Sequence, residues 1–147
     1  MEIKHIYWFA HYNLLCPSTK YRGKYPTDYF TKSLNISCDF IYPEKSIKGI
    51  IRFLSIYFSV LFFRKKSSLI VIQKVCTNRS YAKALKLLVS IRRSNTLYDL
   101  DDAEYIRQPK ETLEFFMRKC SSISVGSTEL ERYALKYNSN VFLQTSP

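Results

Sequence analysis

Six short apolar runs alternate with helix-type segments along this chain, and that alternation limits its fold more than any other feature. Residues 3–9, 36–42, 69–75, 96–100, 122–125 and 141–143 read as strands. Most are apolar almost throughout, as strands buried on both faces are. Between them, residues 26–34, 46–66, 80–93 and 110–120 read as helices, and a last helix starts at Thr128. Regular β-α alternation predicts an α/β chain: one parallel sheet, helices on both faces, right-handed crossovers. The length of 147 residues suits a single domain. Neither an internal repeat nor an internal linker is visible.

Local signals support these elements. Pro26 fits a first helical turn, where its missing N–H costs least. Tyr29, Phe30 and Leu34 would share one side of that helix. Ala84, Leu85, Leu88 and Val89 mark an apolar face in the third helix, and Leu113, Phe116, Met117 and Cys120 in the fourth. Arg64, Lys65 and Lys66 would complement a helix C-terminal dipole. Thr128 and Glu131 form a capping-box pattern, followed by Leu130, Tyr133, Ala134 and Tyr137 at helical spacing.

Composition excludes several classes. With 46% hydrophobic residues, 3 Gly and 5 Pro, the chain is neither disordered nor low-complexity. The net charge of +11 is uneven: residues 1–98 carry 17 basic and 4 acidic side chains, residues 99–147 carry 6 and 8. A positive first half favours anionic partners. The basic residues are spread over several helices and form no nucleic-acid recognition module, so nucleic acid is not expected as a partner. Cys16, Cys38, Cys76 and Cys120 include no close pair for zinc and are read as free buried thiols in a reducing compartment. No metal site is expected. The N-terminus lacks a signal-peptide pattern. Residues 47–63 are interrupted by Lys48 and Arg52 and fall short of the roughly 20 apolar residues of a transmembrane helix. The aromatic run 53–63 is expected to pack on the sheet, with a position at a membrane surface as the alternative.

Ligands of parallel α/β sheets bind at the carboxyl ends of the strands. Three loops matter on that ground: 11–23, 76–79 and 99–109. The first, read as polar and irregular, offers the Ser18 and Thr19 hydroxyls, Arg22 and a following helix N-terminus, which together suit a polar or phosphorylated ligand, while His11, just past the first strand, reads as structural rather than catalytic. No G-x-G-x-x-G or P-loop pattern is present. The third holds Asp99, Asp101, Asp102 and Glu104, four carboxylates whose repulsion requires an offset: a metal, a nearby Lys or Arg, helix N–H groups or solvent. Ser127 lies in a strand-to-helix turn. A D-x-D phosphatase reading of the acidic turn is set aside, because that motif normally follows the first strand and needs further groups well downstream.

Three segments, in order, carry a family resemblance. Ser18-Thr19-Lys20-Tyr21-Arg22 resembles an S-x-x-R-like loop. Leu97-Tyr98-Asp99-Leu100-Asp101-Asp102 resembles a Y-D-x-D-D strand end. Ser124-Val125-Gly126-Ser127-Thr128-Glu129-Leu130 with Tyr133-Ala134 resembles a V-S-S-x-x-L-x-x-Y-A stretch. Together they resemble the N-terminal, acceptor-side domain of a GT-B-fold glycosyltransferase of family 4 type. The resemblance implies a Rossmann-like domain spanning 1–147, with the C-terminal donor domain absent. It implies partners, too: a glycan or lipid-linked acceptor in surface-polysaccharide synthesis, and a nucleotide-sugar donor held mainly by the missing domain, with no other cofactor. By the same resemblance Asp99, Asp101 and Asp102 line the interdomain cleft, Arg22 lies on the acceptor or phosphate side, and His11 falls near the cleft loops. A cytoplasmic location follows, peripheral at the inner face of an anionic membrane. The chain alone is then expected to be inactive. The alternative is a non-catalytic Rossmann-like binding module or an inactive fragment.

Overall fold

A computed structural model describes residues 2–63, 67–75, 79–102 and 110–144. The chain is α/β. Its elements are β1 (His5–Phe9), a π-helical segment (Thr19–Lys24), α1 (Tyr25–Ser33), β2 (Ser37–Ile41), α2 (Ile47–Phe63), β3 (Ser68–Gln73), α3 (Arg79–Ile91), β4 (Thr96–Leu100), α4 (Lys110–Lys119), β5 (Ser122–Val125), α5 (Thr128–Ala134) and β6 (Val141–Leu143). The six strands have the order β2-β1-β3-β4-β5-β6. Every pairing whose register is described is parallel. The expected Rossmann-like alternation is therefore the observed one. The chain divides into two compact units, 1–73 and 74–147.

In the first unit β1 is central. His5 pairs in register with Ser37 on one side and Ser68 on the other. Phe9, Ile70, Val71 and Ile72 are fully buried, as an interior parallel strand and its neighbour require. Trp8 Nε1 donates to Gln73 Oε1 at 3.1 Å, and Gln73 Nε2 donates to the Ser18 carbonyl at 2.8 Å. This wholly buried amide joins β1, β3 and the start of the π-helical segment, its polar atoms paired as burial demands.

The segment 11–23 departs from expectation. It is not irregular throughout: Thr19–Lys24 is helical and runs directly into α1, with Lys24 and Tyr25 both in helical backbone. Thr19 and Gly23 are its buried residues, and Thr27 continues the same spacing of four in α1. They are small rather than apolar, so the helical face carries no hydrophobic period. Gly23 is required by proximity. A Cβ there would lie 2.7 Å from Gln73 Oε1 and 2.8 Å from Phe40 Cε2. The expected apolar side of α1 is also corrected: Tyr29 and Leu34 are exposed, and only Thr27 is buried in α1.

The α2 helix corrects a second expectation. Only Gly49, Tyr57 and Val60 are buried along it. Ile47, Ile51, Leu54, Phe58, Phe62 and Phe63 are exposed, Phe63 to 80%. The aromatic run thus does not pack on the sheet as a whole. Among the described residues, no helix is long and apolar enough to cross a membrane. Arg64, Lys65 and Lys66 lie outside the described residues.

In the second unit β5 pairs with β4 and β6. Leu85, Leu88 and Val89 of α3 and Leu113, Phe116 and Met117 of α4 are fully buried. Tyr98 of β4 stacks on Phe116 at 5.3 Å. Thr96 and Ser121 exchange bonds: Thr96 N donates to Ser121 Oγ at 2.8 Å, and Ser121 N donates to Thr96 Oγ1 at 2.9 Å. Asn138 Nδ2 donates to the carbonyls of Met117 and Cys120, satisfying the end of α4. The cap of α5 is Ser127, not Thr128: its backbone is extended and its Oγ accepts from Leu130 N at 3.3 Å. The box pattern was one residue out of register, because Thr128 is already the first helical residue.

Candidate functional site

The groups of interest gather at the carboxyl ends of strands in each unit. In the second unit β4 ends at Leu100, and the chain continues into Asp101 and Asp102. Asp99 still belongs to β4 and is buried. Its carbonyl accepts from Lys74 N at 2.8 Å. That bond sets Lys74 beside the acidic turn. Lys74 Nζ lies 3.5 Å from Asp101 Oδ1 and is also ion-paired to Asp102 Oδ2. The Lys74 side chain is 9% exposed and that of Asp101 16%, whereas Asp102 is 65% exposed. Of the offsets the carboxylates could take, Lys74 supplies one.

Lys74 also has a φ of 49°, in the left-handed region that side chains other than Gly and Asn seldom adopt. Gly126 also packs against the turn. Its N–H donates to the Leu100 carbonyl at 3.0 Å. A Cβ on it would stand 3.0 Å from the Asp101 carbonyl oxygen. The next residue, Ser127, has its hydroxyl oxygen committed to the α5 cap. Glu129, in the first turn of α5, is held below the usual carboxylate range, chiefly by its own backbone N–H and then by the Ser127 hydroxyl. A helix N-terminus favours negative charge in this way.

In the first unit, His11 follows β1 and faces the start of the π-helical segment. Its Nε2 is 3.9 Å from Cys16 Sγ and its Nδ1 is 3.5 Å from Thr19 Oγ1. Ser18 contributes its carbonyl to Gln73, and both Ser18 and Arg22 are half-buried.

The structure therefore brings Asp99, Asp101, Asp102 and Ser127 to one end of the second unit's strands. It places His11, Ser18 and Arg22 after β1 in the first. Glu104 and the rest of the third loop, and Cys76 to Asn78 of the second, lie outside the described residues. Lys74 and Gln73 were not singled out from sequence, and Cys16 and Thr19 were read only as a buried thiol and a loop hydroxyl, not as neighbours of His11. Lys74 and Gln73 leave a signal, as polar residues closing an otherwise apolar strand. Cys16 and Thr19 leave none without the fold that turns them toward His11.

The thiols are free among the described residues, but the expectation that they are all buried is corrected: Cys16 and Cys38 are half-buried, and only Cys120 is buried. Burial pushes the Cys120 thiol up to about 12. Desolvation, partly countered by Thr31, raises that of Cys38. Among the described residues no three His, Cys, Asp or Glu side chains converge as metal ligands. Comparison of the chain with protein-family models, with curated proteins and with solved structures gave no match.

Proposed function

We propose that this chain is the acceptor-binding half of a GT-B-type glycosyltransferase. In this reading it holds a glycan or lipid-linked acceptor, to which a sugar is passed from a nucleotide-sugar bound mainly by a second domain. The observation that carries the reading is the Asp101–Lys74–Asp102 group just past the end of β4. Lys74 is paired with both carboxylates, through Asp101 Oδ1 and Asp102 Oδ2. With Oδ2 held by Lys74, the 65% exposed Asp102 has Oδ1 to accept from sugar hydroxyls, such a bond contributing about 1.5–3 kcal/mol. Asp101, ion-paired with Lys74 and closely approached by the backbone at Gly126, orients the turn. Positioning of this kind is the larger part of what an acceptor domain supplies to transfer.

The reading extends to location: peripheral attachment at the cytoplasmic face of an anionic membrane. The exposed Ile, Leu and Phe side chains of α2 would enter the headgroup region, and the exposed Lys45 and Lys48 at its start would meet anionic lipid.

The test is saturation-transfer NMR on the purified chain against a panel of neutral and acidic mono- to tetrasaccharides, with UDP-glucose as the donor probe. A weak glycan response that Asp102→Asn removes, with no response from UDP-glucose, is expected. Binding of UDP-glucose with no response from any saccharide would overturn the reading.

A further inference from the structure

The side chains around His11 form a nucleophile, base and orienter in sequence, a pattern the acceptor-binding reading does not use. We propose that Cys16 is a nucleophilic thiol activated by His11, and that it takes low-molecular-weight disulfides to form a mixed disulfide.

The geometry supports each role. Asn13 fixes the turn: its Oδ1 accepts from Leu15 N and its carbonyl from Cys16 N, both at 3.1 Å. The Cys16 carbonyl in turn accepts from Lys20 N at 3.1 Å, anchoring the thiol's backbone to the helical segment. Cys16 Sγ then lies 3.9 Å from His11 Nε2, within reach for a sulfur hydrogen bond. On the other side of the ring, Nδ1 is 3.5 Å from Oγ1 of the fully buried Thr19. The tautomer that donates Nδ1–H to Thr19 leaves the Nε2 lone pair facing the thiol. A base oriented by a third group is what nucleophilic activation requires. Cys16 is half-buried, open to a small reagent, unlike Cys120.

The step balances. The Cys16 thiol proton passes to His11 Nε2, and the thiolate attacks one sulfur of the disulfide. A new S–S bond forms as the old one breaks, and the departing thiolate takes the proton back from the imidazolium. Cys16 is oxidised and the departing half of the reagent reduced. Thr19 acts through His11 and is a positioning residue.

The experiment uses glutathione disulfide and the full chain at neutral pH, with site-mapped mass spectrometry over time. Cys16 is expected to be modified about tenfold or more faster than Cys38, and Cys120 to stay unmodified while the protein is folded. His11→Gln should slow Cys16 by about tenfold and leave Cys38 unchanged, so that Cys38 reports whether the fold survives. Thr19→Val should slow Cys16 and move its pH–rate curve, while Thr19→Ser keeps the hydroxyl and restores both. Equal rates at Cys16 and Cys38, or a Cys16 rate unmoved by His11→Gln, would overturn the proposal.

Discussion

Lys74 pays twice for its position. Its backbone is left-handed, a conformation that costs on the order of 1–3 kcal/mol in a residue other than glycine. Its ammonium is nearly buried between two carboxylates. A surface lysine would do neither, so the acidic turn depends on it. Replacing Lys74 with Met leaves the almost buried Asp101 without this cation, and removal of one partner of a buried pair costs on the order of 3 kcal/mol. Urea unfolding of Lys74→Met should show that loss. The double variant with Asp101→Asn should recover part of it, because the orphaned charge is gone. An unchanged midpoint in Lys74→Met would mean the pair contributes nothing. The acidic turn itself was legible in sequence, as four carboxylates in six residues must find an offset. Its partner was not, since Lys74 is one lysine among many and lies more than twenty residues upstream. The bond from its N–H to the Asp99 carbonyl holds it there.

At the scale of elements, strands and helices differed in how well they could be read. The last three strands run over the residues expected, and the first three differ only at their ends. Their apolar runs are short and bounded, so pattern decides them. α2 is different: a helix apolar on nearly all sides carries no signal for which side is covered. The structure leaves a line of Ile47, Ile51, Leu54, Phe58 and Phe62 exposed along it. If this face sits on anionic lipid, binding to vesicles containing phosphatidylglycerol should weaken with salt, since screening at physiological ionic strength acts over about 8 Å. Phe58→Ser with Phe62→Ser should reduce it about tenfold or more, because each buried aromatic contributes about 1.5–3 kcal/mol. Lys45→Glu with Lys48→Glu should reduce it on anionic vesicles alone. Binding indifferent to all four changes would leave α2 without a role at membranes. The stretch before α1 differs for the opposite reason: its buried residues are Thr19 and Gly23, a face that Thr27 continues in α1, and small residues do not register as an apolar period.

For the whole molecule, the proposed division of labour gives a plain expectation. The 147-residue chain on its own should transfer no sugar from UDP-glucose or GDP-mannose to any saccharide it binds, because transfer requires donor and acceptor held in one geometry. Radiolabelled transfer assays at high protein concentration check this, and robust turnover would show that the donor site is in this chain.

The sequence by itself determined the class of fold, the strands and the α-helices among the described residues, and the crowding of carboxylates at the end of β4. Those properties follow from short-range patterns: alternation of apolar runs, turn residues, and charges crowded into a few positions. Tertiary structure alone decided the strand order, the exposed face of α2, Lys74 as the cation between Asp101 and Asp102, and the meeting of His11 with Cys16 and Thr19. Each of these is a contact between residues, or a choice of which surface to cover, and such matters depend on how the chain closes in space rather than on which residues are neighbours along it.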